Sequence, residues 1–265
     1  MTLPPLAEQA TVLRPTTKGA AKGLSSIILA GGKGVRLQPF TINFPKPLVP
    51  LGDTPIIEVL IRRLIDYGLT DVTLTLGHLA GLIKAYFLNH QELSRLLTLH
   101  FVEEEHPTGT AGSLSLVQGI KNTFFAMNGD LLTDLNFDEL VSFHREQNAT
   151  LTIAVHRRRV KLDFGVLKIG DDHRVLDYLE KPEYQHDVSM GVYVYEPTVL
   201  GFIESGRYLD FPDLVLKLVD AGEKVCAFPY EGVWLDIGRP SDYARAQELY
   251  SKTQPAILGE QPEEI

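Results

Sequence analysis

Apolar and polar positions along the chain follow two periods, and segments of each kind alternate. Ile27-Ile28-Leu29-Ala30 is apolar at every position, the pattern of a strand buried on both faces. Between residues 55 and 67, Ile56, Ile57, Leu60, Ile61, Leu64 and Ile65 recur at helical spacing, and Gly68 closes the segment. Residues 71–76 then predict a strand, 79–88 a helix, 97–102 a strand, 113–120 a helix and 123–127 a compact buried strand. This alternation predicts an α/β fold: a Rossmann-like, doubly wound, mostly parallel sheet with right-handed crossovers. The second half is denser in strands. A helix at 137–146 leads to strand-like segments at 150–156, 164–169, 174–179 and 188–195, broken by Gly170-Asp171-Asp172 and by Lys181-Pro182. They predict a small antiparallel β addition beside the main sheet. A helix at 212–221 ends at Gly222, and 233–238 leads into a last helix from Pro240, with Tyr243, Ala246, Leu249 and Tyr250 on one face.

Composition narrows the setting. At 265 residues and 44% hydrophobic, the chain can build one substantial α/β core. Residues 25–251 read as a single domain in two halves, 25–136 and 137–251. Residues 1–24, with Pro4, Pro5 and Pro15, read as a flexible extension, and 252–265 as a tail. A net charge of −9 argues against nonspecific nucleic-acid binding and suits a small anionic ligand held in a local basic pocket. No apolar run approaches the roughly 18 residues of a membrane span, and the start lacks the apolar core of a secretory leader. With the single cysteine, Cys226, taken as a buried structural thiol, a reducing, cytoplasmic setting is expected.

The chemistry gathers where strands end. After Ala30 the chain breaks into Gly31-Gly32-Lys33-Gly34, followed by Arg36 and by Lys46 between two prolines. The glycines alone fit either a tight connection or a phosphate cradle. The Walker pattern fails, because Lys33 is followed by Gly34 and Val35, and the dinucleotide fingerprint fails at Leu37. What remains is a glycine-rich loop with two cations, which suits a nucleoside triphosphate. Thr108-Gly109-Thr110-Ala111-Gly112 and Asn128-Gly129-Asp130 fall at the same edge of the predicted sheet, where ligands of such folds bind.

Asp130 and Asp236 both follow strands, a placement shared by turn aspartates and by ligands of Mg²⁺. With Arg36 and Lys46 they make up what phosphoryl-type transfer requires: a metal, a charge clamp and positioning. Glu180-Lys181-Pro182 reads either as a solvated turn or as a pair facing a sugar phosphate, with Pro182 steering Lys181 away from helical geometry. Asp163-Phe164-Gly165 lacks the companion motifs of a kinase, and Gly165 instead permits close backbone approach to a ligand. Arg157-Arg158-Arg159 reads as a solvated turn or a contact with a partner subunit, as in a homo-oligomer. His78, His106 and His144 show no zinc-ligand spacing.

In order, these residues resemble the sugar-1-phosphate nucleotidyltransferases, also called nucleotide-sugar pyrophosphorylases. The pattern lies nearest the mannose- and heptose-1-phosphate guanylyltransferases. The resemblance runs from about Ser25 to Tyr250. It is carried by Leu29-Ala30-Gly31-Gly32-Lys33-Gly34-Val35-Arg36-Leu37, Phe44-Pro45-Lys46-Pro47, Gly109-Thr110-Ala111-Gly112, Asn128-Gly129-Asp130, Glu180-Lys181-Pro182 and Trp234-Leu235-Asp236-Ile237-Gly238. It implies attack of a sugar 1-phosphate on the α-phosphorus of an NTP, GTP favoured, with mannose, heptose or an amino sugar as acceptor. A uridylyltransferase or a silent nucleotide-sugar-binding subunit is the alternative. By position, Arg36 binds the leaving pyrophosphate, Lys46 stabilises charge near the α-phosphate, and Asp130 and Asp236 hold Mg²⁺. The resemblance further implies that Leu29, Ala30, Gly31, Gly32, Gly34, Gly109, Thr110 and Ala111 bind the nucleotide, and that Gly129, Gly165, Glu180, Lys181 and Ser189 address the sugar phosphate. Two positions depart from the family pattern: Val35, where threonine is usual, and Ser189-Met190-Gly191, where asparagine usually leads.

Overall fold

A computed structural model describes residues 19–257. The apolar run becomes β1 (Ser25–Ala30), and a short ribbon of β2 (Pro50–Leu51) and β3 (Thr54–Pro55) leads into α1 (Ile56–Asp66). There follow β4 (Asp71–Leu76), α2 (Ala80–Leu88), α3 (Leu93–Leu96), β5 (Thr98–Glu103), α4 (Gly109–Gly112), β6 (Phe124–Asn128), β7 (Leu131–Thr133) and α5 (Phe137–Gln147). The second half comprises β8 (Leu151–Lys161), β9 (Val166–Ile169), β10 (Val175–Leu179), β11 (Glu183–Tyr195), α6 (Phe211–Asp220), β12 (Val225–Tyr230), β13 (Trp234–Asp236) and α7 (Pro240–Ile257).

Seven strands form one sheet in the order β12-β8-β11-β6-β1-β4-β5. Every neighbouring pair is parallel except the two made by β11, which runs antiparallel to both β6 and β8. The apolar run of β1 sits near the middle and is buried on both faces as its composition requires. Ile28 joins the layer packed under α1, α2 and α5, and Ile27 the opposite layer under α6. A third cluster, around Leu37, Leu51, Leu235 and Ile237, is closed by Ala246 and Tyr250 of α7. The register pairs Leu29 with Thr75 of β4 and with Asn128 of β6. Gly31, Gly77 and Gly129 therefore emerge together at one edge. No helix among the described residues is long and apolar enough to cross a membrane.

Several expectations change. β8 and β11 belong to the main sheet, and the small antiparallel additions are three two-stranded pairs, β9–β10, β7–β13 and β2–β3. Arg157-Arg158-Arg159 lies within β8 and is not a turn. Cross-strand ion pairs from Arg157 to Asp187 (3.0 Å) and Arg159 to Glu183 (3.6 Å) let the charge run continue as strand. The helix expected at 113–120 is only a 3₁₀ turn, Ser113–Leu116, after which Val117 is already extended. Cys226 is half-buried, on β12.

Residues 19–24, expected in the flexible extension, instead pack on the core: Ala21 is fully buried and its N–H donates to Asp138 Oδ1 at 2.8 Å. Residues 1–18 lie outside the described range. Helix α7 runs to Ile257, so the first part of the expected tail is helical, and 258–265 lie outside the described residues.

Candidate active site

A crevice of about 650 Å³ opens beyond the carboxyl ends of β1, β4 and β6. Of the residues singled out in the sequence, Leu29, Ala30, Gly31, Gly32, Lys46, Gly109, Thr110, Gly129 and Asp130 line it. Its first wall is set by close backbone contact. Gly31 lies against Gly77 and Glu104, and a Cβ there would stand 2.5 Å from Glu104 Oε1. Gly34 has a left-handed φ of 62° and starts the 3₁₀ turn Val35–Leu37. It leaves no Cβ between that turn and Lys46. Val35 points to solvent, 61% exposed, so the family's usual threonine hydroxyl is replaced outside the crevice.

The floor carries the charges. Lys46 Nζ donates to Asp130 Oδ2, with only 11% of the lysine side chain and 21% of the aspartate exposed. The second oxygen, Asp130 Oδ1, is buried without a hydrogen-bond partner. The Ile237 N–H donates to the Asp130 carbonyl at 3.0 Å, and β13 pairs Asp236 with Leu131, which brings the second carboxylate alongside. Burial pushes the Asp236 carboxyl above its usual range, and the charge of Asp130 adds to that; Lys46 and Arg36 pull it back. Arg36 sits beside Gly238, just past β13. Arg36, Lys46, Asp130 and Asp236 thus share one field, although Arg36 and Asp236 stand outside the crevice lining. Among the described residues no group of three or more His, Cys, Asp or Glu is placed to hold a metal. The carboxylate pair is the available donor set.

The remaining candidates lie elsewhere. Ala111 is a buried residue of α4 itself. Ser189 is exposed, and its hydroxyl donates to Tyr193 Oη at 3.1 Å and accepts from the Gly191 N–H at 3.3 Å. Gly165, Glu180 and Lys181 cluster at the exposed β9–β10 hairpin. A Cβ at Gly165 would run into the Tyr178 hydroxyl, which itself donates to Glu180 Oε2 at 2.9 Å. Lys181 adopts a left-handed φ of 47°, so Pro182 keeps it from the right-handed helical region as expected, but not by extending it.

Four lining residues gave no usable signal in the sequence. Glu104 lies in the acidic stretch Glu103-Glu104-Glu105, and its Oε2 accepts from both the N–H and the hydroxyl of Thr108, leaving Oε1 at the crevice beside Gly31. Tyr208 and Asp210 join the wall from a segment about a hundred residues away, with no periodicity to mark it. His78 lines the opening, its N–H donating to the Gly31 carbonyl at 3.2 Å.

Comparison with known proteins matches residues 25–253 to the family described as nucleotidyl transferase. The chain is 32% identical over 241 residues to a UTP–glucose-1-phosphate uridylyltransferase of Synechocystis sp., covering 84% of this chain and 62% of that protein. It is 31% identical over 258 residues to a mannose-1-phosphate guanylyltransferase of Mycobacterium tuberculosis, covering 93% and 70%. The chain thus spans under two thirds to just over two thirds of the length of these relatives. Among solved structures, HddC from Yersinia pseudotuberculosis shares the fold, with a TM-score of 0.67 at 24% identity over 86% of this chain and 99% of that one.

Proposed function

Because the chain belongs to the nucleotidyl transferase family, we propose that it joins a nucleoside triphosphate to a sugar 1-phosphate, releasing pyrophosphate and a nucleoside diphosphate sugar. The observation that carries this reading is the Lys46–Asp130 pair on the crevice floor, with a buried, unpartnered carboxylate oxygen and Asp236 beside it.

An oxygen of the sugar 1-phosphate attacks the α-phosphorus. A new P–O bond forms as the bond to the bridging oxygen breaks, and pyrophosphate leaves with that electron pair. Such a transfer asks the protein for alignment and charge neutralisation, not for a covalent intermediate. Lys46 supplies a full charge at the α-phosphate, and Arg36 meets the departing pyrophosphate in the bidentate manner open to a guanidinium. Asp130 and Asp236 suit Mg²⁺, which takes one or two carboxylates and fills the rest of its shell with water and phosphate oxygens. When bound, the cation neutralises phosphate charge. Two carboxylates that repel each other in a half-buried site, one with a buried free oxygen, are a donor set that such a cation relieves.

For the base we favour guanine. The free Oε1 of Glu104 is an acceptor fixed in the crevice wall, and guanine offers two adjacent donors, N1–H and the exocyclic amine. Uracil offers one N–H between two carbonyl oxygens, which a carboxylate repels. Uridylyl transfer is the second reading, favoured by the name of the Synechocystis relative. Gly129, Glu180 and Lys181 are assigned to the acceptor, with mannose, heptose or an amino sugar 1-phosphate as its class.

The test is pyrophosphate release from four NTPs against a panel of sugar 1-phosphates, with and without Mg²⁺. Release that needs a sugar 1-phosphate and is greatest with GTP supports the proposal. Binding of nucleotide sugars without turnover of any pair would replace it with a regulatory subunit.

A further inference from the structure

We propose that Asp210 is a positioning residue for the base end of the nucleotide site, acting through Thr110. The proposal rests on reading the crevice as a nucleotide site. Gly109-Thr110-Ala111-Gly112 has the composition of a loop that offers backbone donors to a ligand, but most of those donors are already engaged. The N–H groups of Ala111 and Gly112 donate to the Leu209 carbonyl at 3.0 and 2.9 Å, and the Thr110 N–H donates to Asp210 Oδ1 at 3.2 Å. The Leu209 N–H returns a bond to the Thr108 carbonyl at 2.9 Å. Among the described residues, only Gly109 of this turn keeps an N–H without an acceptor.

The glycines follow from the same contact. A Cβ at Gly109 would stand 2.5 Å from the Leu209 carbonyl oxygen, and one at Gly112 would stand 2.6 Å from that of Arg207. They let residues 207–210 lie directly on α4.

Asp210 occupies the N-cap position of α6, with extended backbone at φ −88° and ψ 158°, yet its side chain caps nothing. It turns instead toward the crevice. Oδ1 accepts from the Thr110 N–H and hydroxyl, and Oδ2 accepts from the Tyr208 hydroxyl at 2.7 Å. The Phe211 N–H donates to Thr110 Oγ1 at 2.8 Å, so that hydroxyl is held from both sides. Thr110, Tyr208 and Asp210 all line the crevice. A carboxylate on this wall belongs at the base end, since it would oppose a triphosphate. The phosphates lie toward Lys46, and the base meets a wall assembled before it arrives.

The experiment is titration of the full chain with GTP, with UTP for comparison, alongside initial rates. Asp210→Ala and Thr110→Val weaken GTP binding about tenfold or more and raise the nucleotide KM to match. In both variants kcat and the sugar 1-phosphate KM stay within about twofold of the wild type. Asp210→Asn retains binding within about threefold, because its amide oxygen still accepts from Thr110. Unchanged affinity in Asp210→Ala, or Asp210→Asn as weak as Asp210→Ala, overturns the proposal. If Asp210→Ala does not fold, Asp210→Ser, whose oxygen is one bond shorter, takes its place with the same expected outcomes. A wild-type chain that binds no nucleoside triphosphate overturns the nucleotide reading itself, a result distinct from a wild type that binds and a variant that binds equally well.

Discussion

Asp236 shows how a single side chain fixes a pH dependence. Its carboxyl is raised above 3.8, first by burial and then by Asp130, so the folded chain keeps a proton that the unfolded chain has lost. Between 3.8 and the raised value the folded state binds more protons, so stability from this group falls as pH rises through that window. Asp236→Asn removes the slope, which thermal midpoints measured across the acid range will show. An unchanged acid slope of stability in Asp236→Asn would place the titration elsewhere. Asp130→Ala lowers turnover by about a hundredfold or more while circular dichroism stays native. Near-native turnover would remove Asp130 from the site. At this scale the sequence was informative where a charge interrupts an apolar or glycine-rich run, as at Lys46 and Asp130. It was silent on Glu104, whose role depends on Thr108 turning one oxygen away, a fact of side-chain geometry and not of spacing.

Elements are held by a few buried polar contacts, and α5 is the clearest case. His144 is buried, its Nδ1 2.8 Å from Thr152 Oγ1 of β8 and its Nε2 3.1 Å from Glu196 Oε1, just past β11. Burial pushes the imidazole below 6.5, against the opposing pull of Glu196. The stability this gives is complete above 6.5 and is lost as pH falls from there through the lowered value, because the unfolded chain takes up the proton first. His144→Gln flattens denaturant midpoints across that range. At the other end of the helix the Asn136 side chain accepts from the N–H groups of Asp138 and Glu139, at 3.1 and 3.2 Å. Asn136→Ala therefore costs about 1 kcal/mol in denaturant unfolding. The buried strands and long amphipathic helices were legible because their periods are strong. The arginine run of β8 was not, because its strand character comes from Asp187 and Glu183 across the ladder. The helix expected at 113–120 ends after the 3₁₀ turn Ser113–Leu116, because Val117 is already extended.

The whole molecule separates a crevice built on the parallel edge from an exposed hairpin that carries Gly165, Glu180 and Lys181. The fold class follows from alternating periods, but the fusion of β8 and β11 into one sheet depends on pairings between distant segments, which no local pattern encodes. On the proposed function the two regions answer to different substrates. Lys181→Ala raises the sugar 1-phosphate KM about tenfold or more and leaves the nucleotide dissociation constant within about twofold, a split that steady-state kinetics and titration resolve together. β11 joins the regions. Its last residues, Val192 to Tyr195, lie against β6, whereas Glu183 to Asp187 pair with β8 alone and are exposed. The register shifts between Ser189 and Tyr193, at the seam. One continuous strand therefore contains two regimes of hydrogen exchange. Amides beyond the seam exchange only when the whole domain opens, and those before it exchange through local fraying. The boundary between slow and fast protons falls at Ser189-Met190-Gly191, so the outer arm can breathe while the floor of the crevice holds still.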